Sequence, residues 1–126
     1  MNLVDSSGWI EYFIDGNQAA QFAKPIEQTE KLIVPTLAIY EVFKYLLRES
    51  EENKAWKAVV AMQVGWVIAL DTDISLQAAQ ISLQFKLPLA DSIILATART
   101  YNTTLWTQDV DFKGMEGVRY IEGRRA

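Results

Sequence analysis

Five carboxylates, Asp5, Glu41, Asp91, Asp109 and Asp111, are the residues best placed to do chemistry in a chain that has no histidine and no cysteine. Without imidazole or thiol there can be no Ser-His-Asp or Cys-His pair, no imidazole base, and none of the usual zinc hydrolase ligand sets. What remains for catalysis is carboxylate, with lysine and hydroxyl groups as lesser candidates. A donor set made only of oxygen suits hard divalent ions, Mg²⁺ or Mn²⁺, in preference to zinc. Such ions activate water and stabilise leaving oxygens in phosphoryl and phosphodiester chemistry, often as a pair about 4 Å apart.

Each acid alone also has a plain structural role. Asp5, ahead of Ser6-Ser7-Gly8, can cap the helix that carries Trp9, Tyr12 and Phe13. Asp91 is placed where a positive helix N-terminus favours it, and Asp109-Val110-Asp111 reads as a loop or cap. Glu41 is harder to dismiss. It sits among Leu37, Ala38, Ile39, Val42 and Phe43, where a buried glutamate needs a partner, and Lys44 and Arg48 are available on its own helical face. Brought together, the acids repel by about 4 kcal/mol for a single pair 4 Å apart at an effective dielectric of 20. A domain with about 5–15 kcal/mol of total stability can carry that only if cations or protons offset it.

The elements that must gather these residues follow from periodicity. Short runs of β-formers at Leu3-Val4, Leu32-Ile33-Val34, Trp66 to Leu70, Thr104 to Thr107 and Val118 to Ile121 read as about five strands. Helical spacing fills the gaps: Gln18 to Gln28, Thr36 to Ser50, Asn53 to Gln63, Asp73 to Lys86 and Leu89 to Tyr101. In Asp73 to Lys86 the stripe Ile74, Ala78, Ile81 and Phe85 is widened by Leu76, Ala79 and Leu83, whereas Leu89 to Tyr101 is apolar on nearly all sides, as a helix packed deep against a sheet is. Trp56 and Trp66 fall within these patterns and read as core, and Tyr40, Phe43 and Leu47 read as monomer core before they read as contact surface.

Alternation of strand and helix predicts a three-layer α/β/α domain around a parallel sheet. Ligands of such sheets bind outside the carboxyl ends of the strands. Asp5 directly follows the first strand, Asp109 and Asp111 follow the fourth, Glu41 lies two turns into the helix after Val34, and Asp91 opens the buried helix after Pro88. Acids separated by dozens of residues therefore converge on one sheet edge. The 126 residues, half of them hydrophobic, suffice for a real core, and no repeat or linker suggests more than one domain over 1–126. The tail Gly123-Arg124-Arg125-Ala126 is expected to fray. No signal peptide and no membrane span are expected, and a cytoplasmic protein is. With a net charge of −4, attraction to nucleic acid has to be local.

Four segments resemble the PIN domain, and within it the VapC-type toxins of toxin–antitoxin pairs: LVDSSGWIEYF, VPTLAIYEVFKYL, LPLADSIILATA, and LWTQDVDF followed by Val118 to Ile121. By position Asp5, Glu41 and Asp91 correspond to the first three family acids and Asp109 to the fourth, with Asp111 as its neighbour or substitute. The resemblance implies Mg²⁺- or Mn²⁺-dependent endonuclease cleavage of RNA that leaves phosphate on the 5′ side of the cut, and a homodimer inhibited by a cognate antitoxin. It places metal on Asp5, Asp91 and Asp109 or Asp111, with Glu41 on a second ion or orienting the attacking water. Ser6 and Thr107 match hydroxyls that hold water or carboxylates, and Lys44 and Arg48 could meet RNA phosphates.

Other readings fit less well. A receiver-like Mg²⁺-binding signalling domain would use Asp71 after the third strand, but it needs an acidic pair after the first strand and a lysine after the last. Asp5 has no acidic neighbour, and the last strand leads to Glu122 and Gly123. A PIN nuclease of RNA processing outside a toxin pair, or a PIN fold that binds without cutting, remains the nearer alternative, although the full acid set speaks against the second.

Overall fold

The β-forming runs build one sheet: β1 (Asn2–Val4), β2 (Leu32–Pro35), β3 (Trp66–Ile68), β4 (Thr104–Thr107) and β5 (Val118–Tyr120). All neighbours are parallel, and the strand order is β3-β2-β1-β4-β5. The computed structural model describes residues 1–123, so Arg124 to Ala126 of the tail expected to fray lie outside them. Six helices flank the sheet, completing the expected three layers: α1 (Ser6–Phe13), α2 (Ala19–Ile26), α3 (Thr36–Glu49), α4 (Glu52–Met62), α5 (Thr72–Phe85) and α6 (Leu89–Thr100).

The central strands are dry on both faces. Leu3, Val4, Ile33, Val34 and Leu105 are all buried, as near-continuous apolar runs in a parallel sheet should be. Every residue from Ser92 to Ala98 in α6 is buried as well, and the two hydroxyls in that run are satisfied locally, Ser92 donating to the Leu89 carbonyl and Thr97 to that of Ile93. At the start of α1, Gly8 allows a close approach: a Cβ there would lie 2.6 Å from both the Phe22 ring and Val4 Cγ1. That contact seats α1 against β1 and α2.

Several apolar residues expected inside lie outside. In α5 only Ile74, Ala78 and Ile81 are buried, while Leu76, Ala79, Leu83 and Phe85 are exposed. The cause is position, since α5 packs chiefly on α6 and buries only that one face. Trp66 is exposed because β3 is an edge strand, and its indole N–H donates to the Glu30 carbonyl over 3.1 Å. Trp56 stays at the surface, tilted against Phe43 with ring centroids 4.7 Å apart. Along α3 burial runs through Ala38, Val42 and Leu46, leaving Tyr40 and Leu47 exposed and Phe43 half-buried. Among the described residues no single helix is long and apolar enough to cross a membrane.

Candidate active site

The strand order defines where a site should form. From β1 the chain builds outward through β2 to β3, then returns to the other side of β1 for β4 and β5. The switch point therefore lies between the carboxyl ends of β1 and β4, where helices diverge and leave a crevice. Asp5 directly follows β1, and its backbone N–H donates to the Trp106 carbonyl of β4 over 3.1 Å. Asp109 stands two residues past the end of β4.

Asp5 is buried, and both of its oxygens accept hydrogen bonds. Its Oδ1 accepts from Ser7 Oγ at 2.6 Å and from the Gly8 backbone N–H at 3.1 Å, and its Oδ2 accepts from Thr107 Oγ1 at 2.5 Å. The helix-cap reading and the site reading thus hold for one side chain. Burial pushes its pKa up to about 6, although the bonds from Ser7, Thr107 and Gly8 pull it back and the charge of Asp109 pushes it further up.

Beside it, Asp91 in the first turn of α6 meets the loop after β4. Asp91, Asp109 and Asp111 each offer a carboxylate oxygen, and these atoms lie within 4.8 Å of one another. Asp109 also caps the short 3₁₀ turn Val110–Phe112, its Oδ1 accepting from the Asp111 N–H at 2.9 Å. The pKa of Asp91 rises to about 7. Desolvation is the largest cause, followed by the charge of Asp109 and a hydrogen bond shared with it, then by the charges of Asp111 and Asp5. Glu41 approaches from α3, half-buried. Its pKa is raised by burial and by Asp109, and a hydrogen bond with Ser6 opposes the rise. Asp109 is therefore the charge that Asp5, Glu41 and Asp91 all feel.

The expected partners of Glu41 are not its partners. Arg48 pairs with Glu49 through Nε at 3.0 Å, and Lys44 Nζ lies 3.4 Å from the Tyr40 hydroxyl. Ser6 reaches Glu41 and Thr107 reaches Asp5, so both hydroxyls singled out in the sequence meet a carboxylate. Ser7 was missed. Its Oγ bonds Asp5, accepts from the Gln108 backbone N–H at 3.1 Å and lies 3.5 Å from Thr107 Oγ1, which ties the β1 end to the β4 end. The signal was present as the second hydroxyl of the Asp-Ser-Ser-Gly run. Asp71, the acid a receiver would need, only caps α5 by accepting from the Ile74 N–H at 2.9 Å.

The donor set fits a hard divalent cation. Three carboxylate oxygens converge, Asp5 and Glu41 flank them, and among the described residues no lysine or arginine is paired with any of the five. Like charges held this close favour shared protons, as the raised Asp91 pKa reflects, or a metal.

Comparison with known proteins agrees with this geometry. In fold the chain is similar to a chain of a toxin–antitoxin complex from Klebsiella pneumoniae, at 24% identity and a TM-score of 0.84, covering 97% of this chain and 99% of that one. It is similar to VapC20 of Mycobacterium tuberculosis, a sarcin–ricin-loop-cleaving toxin, at 16% identity and a TM-score of 0.79, covering 99% and 100%. VapBC2 of Rickettsia felis, bound to a DNA fragment from its promoter, gives 8% identity, a TM-score of 0.74, and coverage of 96% and 97%. No curated protein matches the chain in sequence. Residues 3–118, which take in all five acids, match the PIN domain, and the chain belongs to the PIN domain family.

Proposed function

We propose that this chain is a Mg²⁺- or Mn²⁺-dependent endoribonuclease that acts in the cytoplasm as the toxin of a toxin–antitoxin pair. The observation that carries the reading is the meeting of Asp91, Asp109 and Asp111 within 4.8 Å at the sheet's switch point. A bound divalent ion would supply water activation and stabilisation of the leaving oxygen. Asp5, Asp91 and Asp109 or Asp111 would hold it, the last three being the acids whose oxygens converge. Asp109 takes the central place because its charge acts on Asp5, Glu41 and Asp91. Glu41, set back on α3, would orient the attacking water or hold a second ion. Ser7 and Thr107 are positioning residues that fix both oxygens of Asp5. Lys44 and Arg48 bring positive charge to phosphates beside a negative cluster.

The K. pneumoniae chain comes from a toxin–antitoxin complex, which supports an antitoxin as partner. A second copy of the chain fits α5, which carries no charged residue from Ile74 to Phe85 and exposes Leu76 and Leu83, the latter sharing a hollow with Leu89 of α6. Uncharged apolar faces of this kind are interface cores.

The test is cleavage of total cellular RNA by the purified protein with Mg²⁺ or Mn²⁺, against EDTA and against Asp91→Asn shown by its melting curve to be folded. Discrete fragments with 5′-phosphate ends that vanish in both controls are expected. A partner-free protein that cuts nothing, with a melting temperature unmoved by either ion, would overturn the metal nuclease.

A further inference from the structure

The geometry points to a nucleotide subsite on α3, beside the acids, that takes an unpaired base of single-stranded RNA next to the cut; the inference rests on the ribonuclease reading above. A cavity of about 270 Å³ opens beside Glu41 and Ser6, bounded along α3 by Tyr40, Lys44, Tyr45 and Arg48. Its size sits just below the roughly 300–1,000 Å³ of small-ligand pockets, which suits one nucleotide. A larger hollow of about 640 Å³, lined in part by Phe13, Asp15, Leu46, Lys54 and Lys57, contains none of the five acids of the site.

The lining is ordered in a particular way. The Lys44 ammonium sits at the hydroxyl end of the Tyr40 ring, 3.4 Å from Oη and 5.6 Å from the centroid, and the Arg48 guanidinium lies 5.5 Å from the centroid of Tyr45. Two cation–aromatic pairs thus stand in sequence on one face of the helix, starting beside a carboxylate of the site. The rise of about 1.5 Å per residue puts Arg48 about 10 Å beyond Glu41 along the axis. That distance is spanned by no more than about three nucleotides at the 3.4 Å rise of a stacked strand.

Charge complementarity identifies the occupant. The molecule carries −4 overall and its acids meet at the crevice, so a polyanion can approach only where cations are displayed next to them. Lys44 makes no ion pair among the described residues, and Arg48 pairs only through Nε with exposed Glu49. An acidic peptide would need the cations and have no use for the rings. A single strand needs both, since phosphates meet the cations while unstacked bases lie against tyrosine faces or the guanidinium plane. A duplex keeps its bases stacked and cannot fill the cavity.

The experiment is fluorescence anisotropy of a labelled single-stranded RNA octamer of mixed sequence, in EDTA to prevent metal-dependent cutting and over a series of salt concentrations. Repulsion from the metal-free acids weakens every variant alike, so the ratios stand. Tyr40→Leu and Tyr45→Leu should each weaken binding roughly 5- to 150-fold, the equivalent of about 1–3 kcal/mol per stacked base, with the salt dependence unchanged. Tyr45→Phe, which keeps the ring, should retain binding. Lys44→Gln and Arg48→Gln should each lower the salt slope by about 1. The same octamer annealed to its complement should bind more weakly than the free strand.

Leucine variants that are folded and bind like wild type, or a duplex that binds as tightly as the strand, overturn the subsite. So does displacement of the octamer by polyglutamate with tyrosine variants unaffected, which would mark a protein-facing patch. The two readings fail separately: a protein that cuts RNA but ignores the tyrosine changes is a nuclease without this subsite, and one that binds the octamer through the tyrosines but never cuts has the subsite without the nuclease.

Discussion

Replacing Thr107 with valine keeps the shape of a fully buried side chain and removes one hydroxyl. That hydroxyl donates to Asp5 Oδ2 at 2.5 Å and accepts from the Asp109 backbone N–H at 2.9 Å, so two bonds are lost together. A bond to a charged group contributes about 1.5–3 kcal/mol and a neutral one about 1 kcal/mol, so Thr107→Val should cost about 3 kcal/mol at pH 8. An unfolding entropy of about 2.1 cal/mol/K per residue gives about 0.26 kcal/mol/K for this chain, so the melting temperature should fall by about 11 °C. The loss must depend on pH. With a pKa of about 6, Asp5 is neutral in the folded protein at pH 4.5, and there the missing bond is no longer charge-assisted; the cost should shrink to about 1–2 kcal/mol. Thr97→Val serves as control, since Thr97 donates only to the Ile93 carbonyl and its cost should not vary with pH. The assay is thermal melting in EDTA at pH 4.5 and 8. A loss below about 1 kcal/mol at pH 8, or the same loss at both values, would refute the view that Thr107 holds an ionised Asp5.

Three further outcomes follow from the same geometry. The folded protein binds protons at Asp5 and Asp91 more tightly than the unfolded chain, with pKa values raised from 3.8 to about 6 and about 7. Metal-free stability should therefore be greatest near pH 4 and decline as pH rises toward 7, and Mg²⁺ should reverse the decline; melting curves across that range with EDTA or Mg²⁺ check the sign. Asp91→Asn removes a carboxylate whose charge is opposed by burial and three neighbouring acids. It should raise the metal-free melting temperature at pH 8 while abolishing both RNA cleavage and the gain from Mg²⁺, which in wild type is about 2.7 kcal/mol at a hundredfold excess over Kd. Leu83 is 86% exposed on an uncharged helix face, so Leu83→Glu should turn a dimer into a monomer by sedimentation without lowering the melting temperature of the fold itself.

Much of this fold is written in local patterns. Five β-forming runs and the intervening helical spacings locate every strand, and the parallel sheet follows because strands alternating with helices require crossovers. Periodicity reports which residues share a helix face, not what lies opposite it. Leu76 and Leu83 extend the stripe of α5 yet face outward, because α5 packs chiefly on α6 and buries only that face. Trp66 reads as core until the strand order puts β3 at an edge. The order itself depends on which strands pair across long separations, as Leu3 does with both Ile33 and Leu105, and no local signal specifies that.

The acids were legible by type and by their places after strands, whereas their bonds were not. Glu41 invites pairing with Lys44 and Arg48 on its own helix, but the packing of α1 on α3 brings Ser6 to it and leaves those cations to the tyrosines. Asp5 shows why a structural role and a site role need not compete at one residue. The oxygen that caps α1 also receives Ser7, and the other oxygen receives Thr107 from the neighbouring strand. The cap fixes the side chain where β1 ends, and parallel pairing brings the end of β4 beside it. Asp109 is then held two residues beyond Thr107 by its own N–H on the same hydroxyl. A cluster of mutually repelling carboxylates is assembled by bonds that each stabilise an ordinary helix start or strand end, so the fold itself sets the carboxylate cluster.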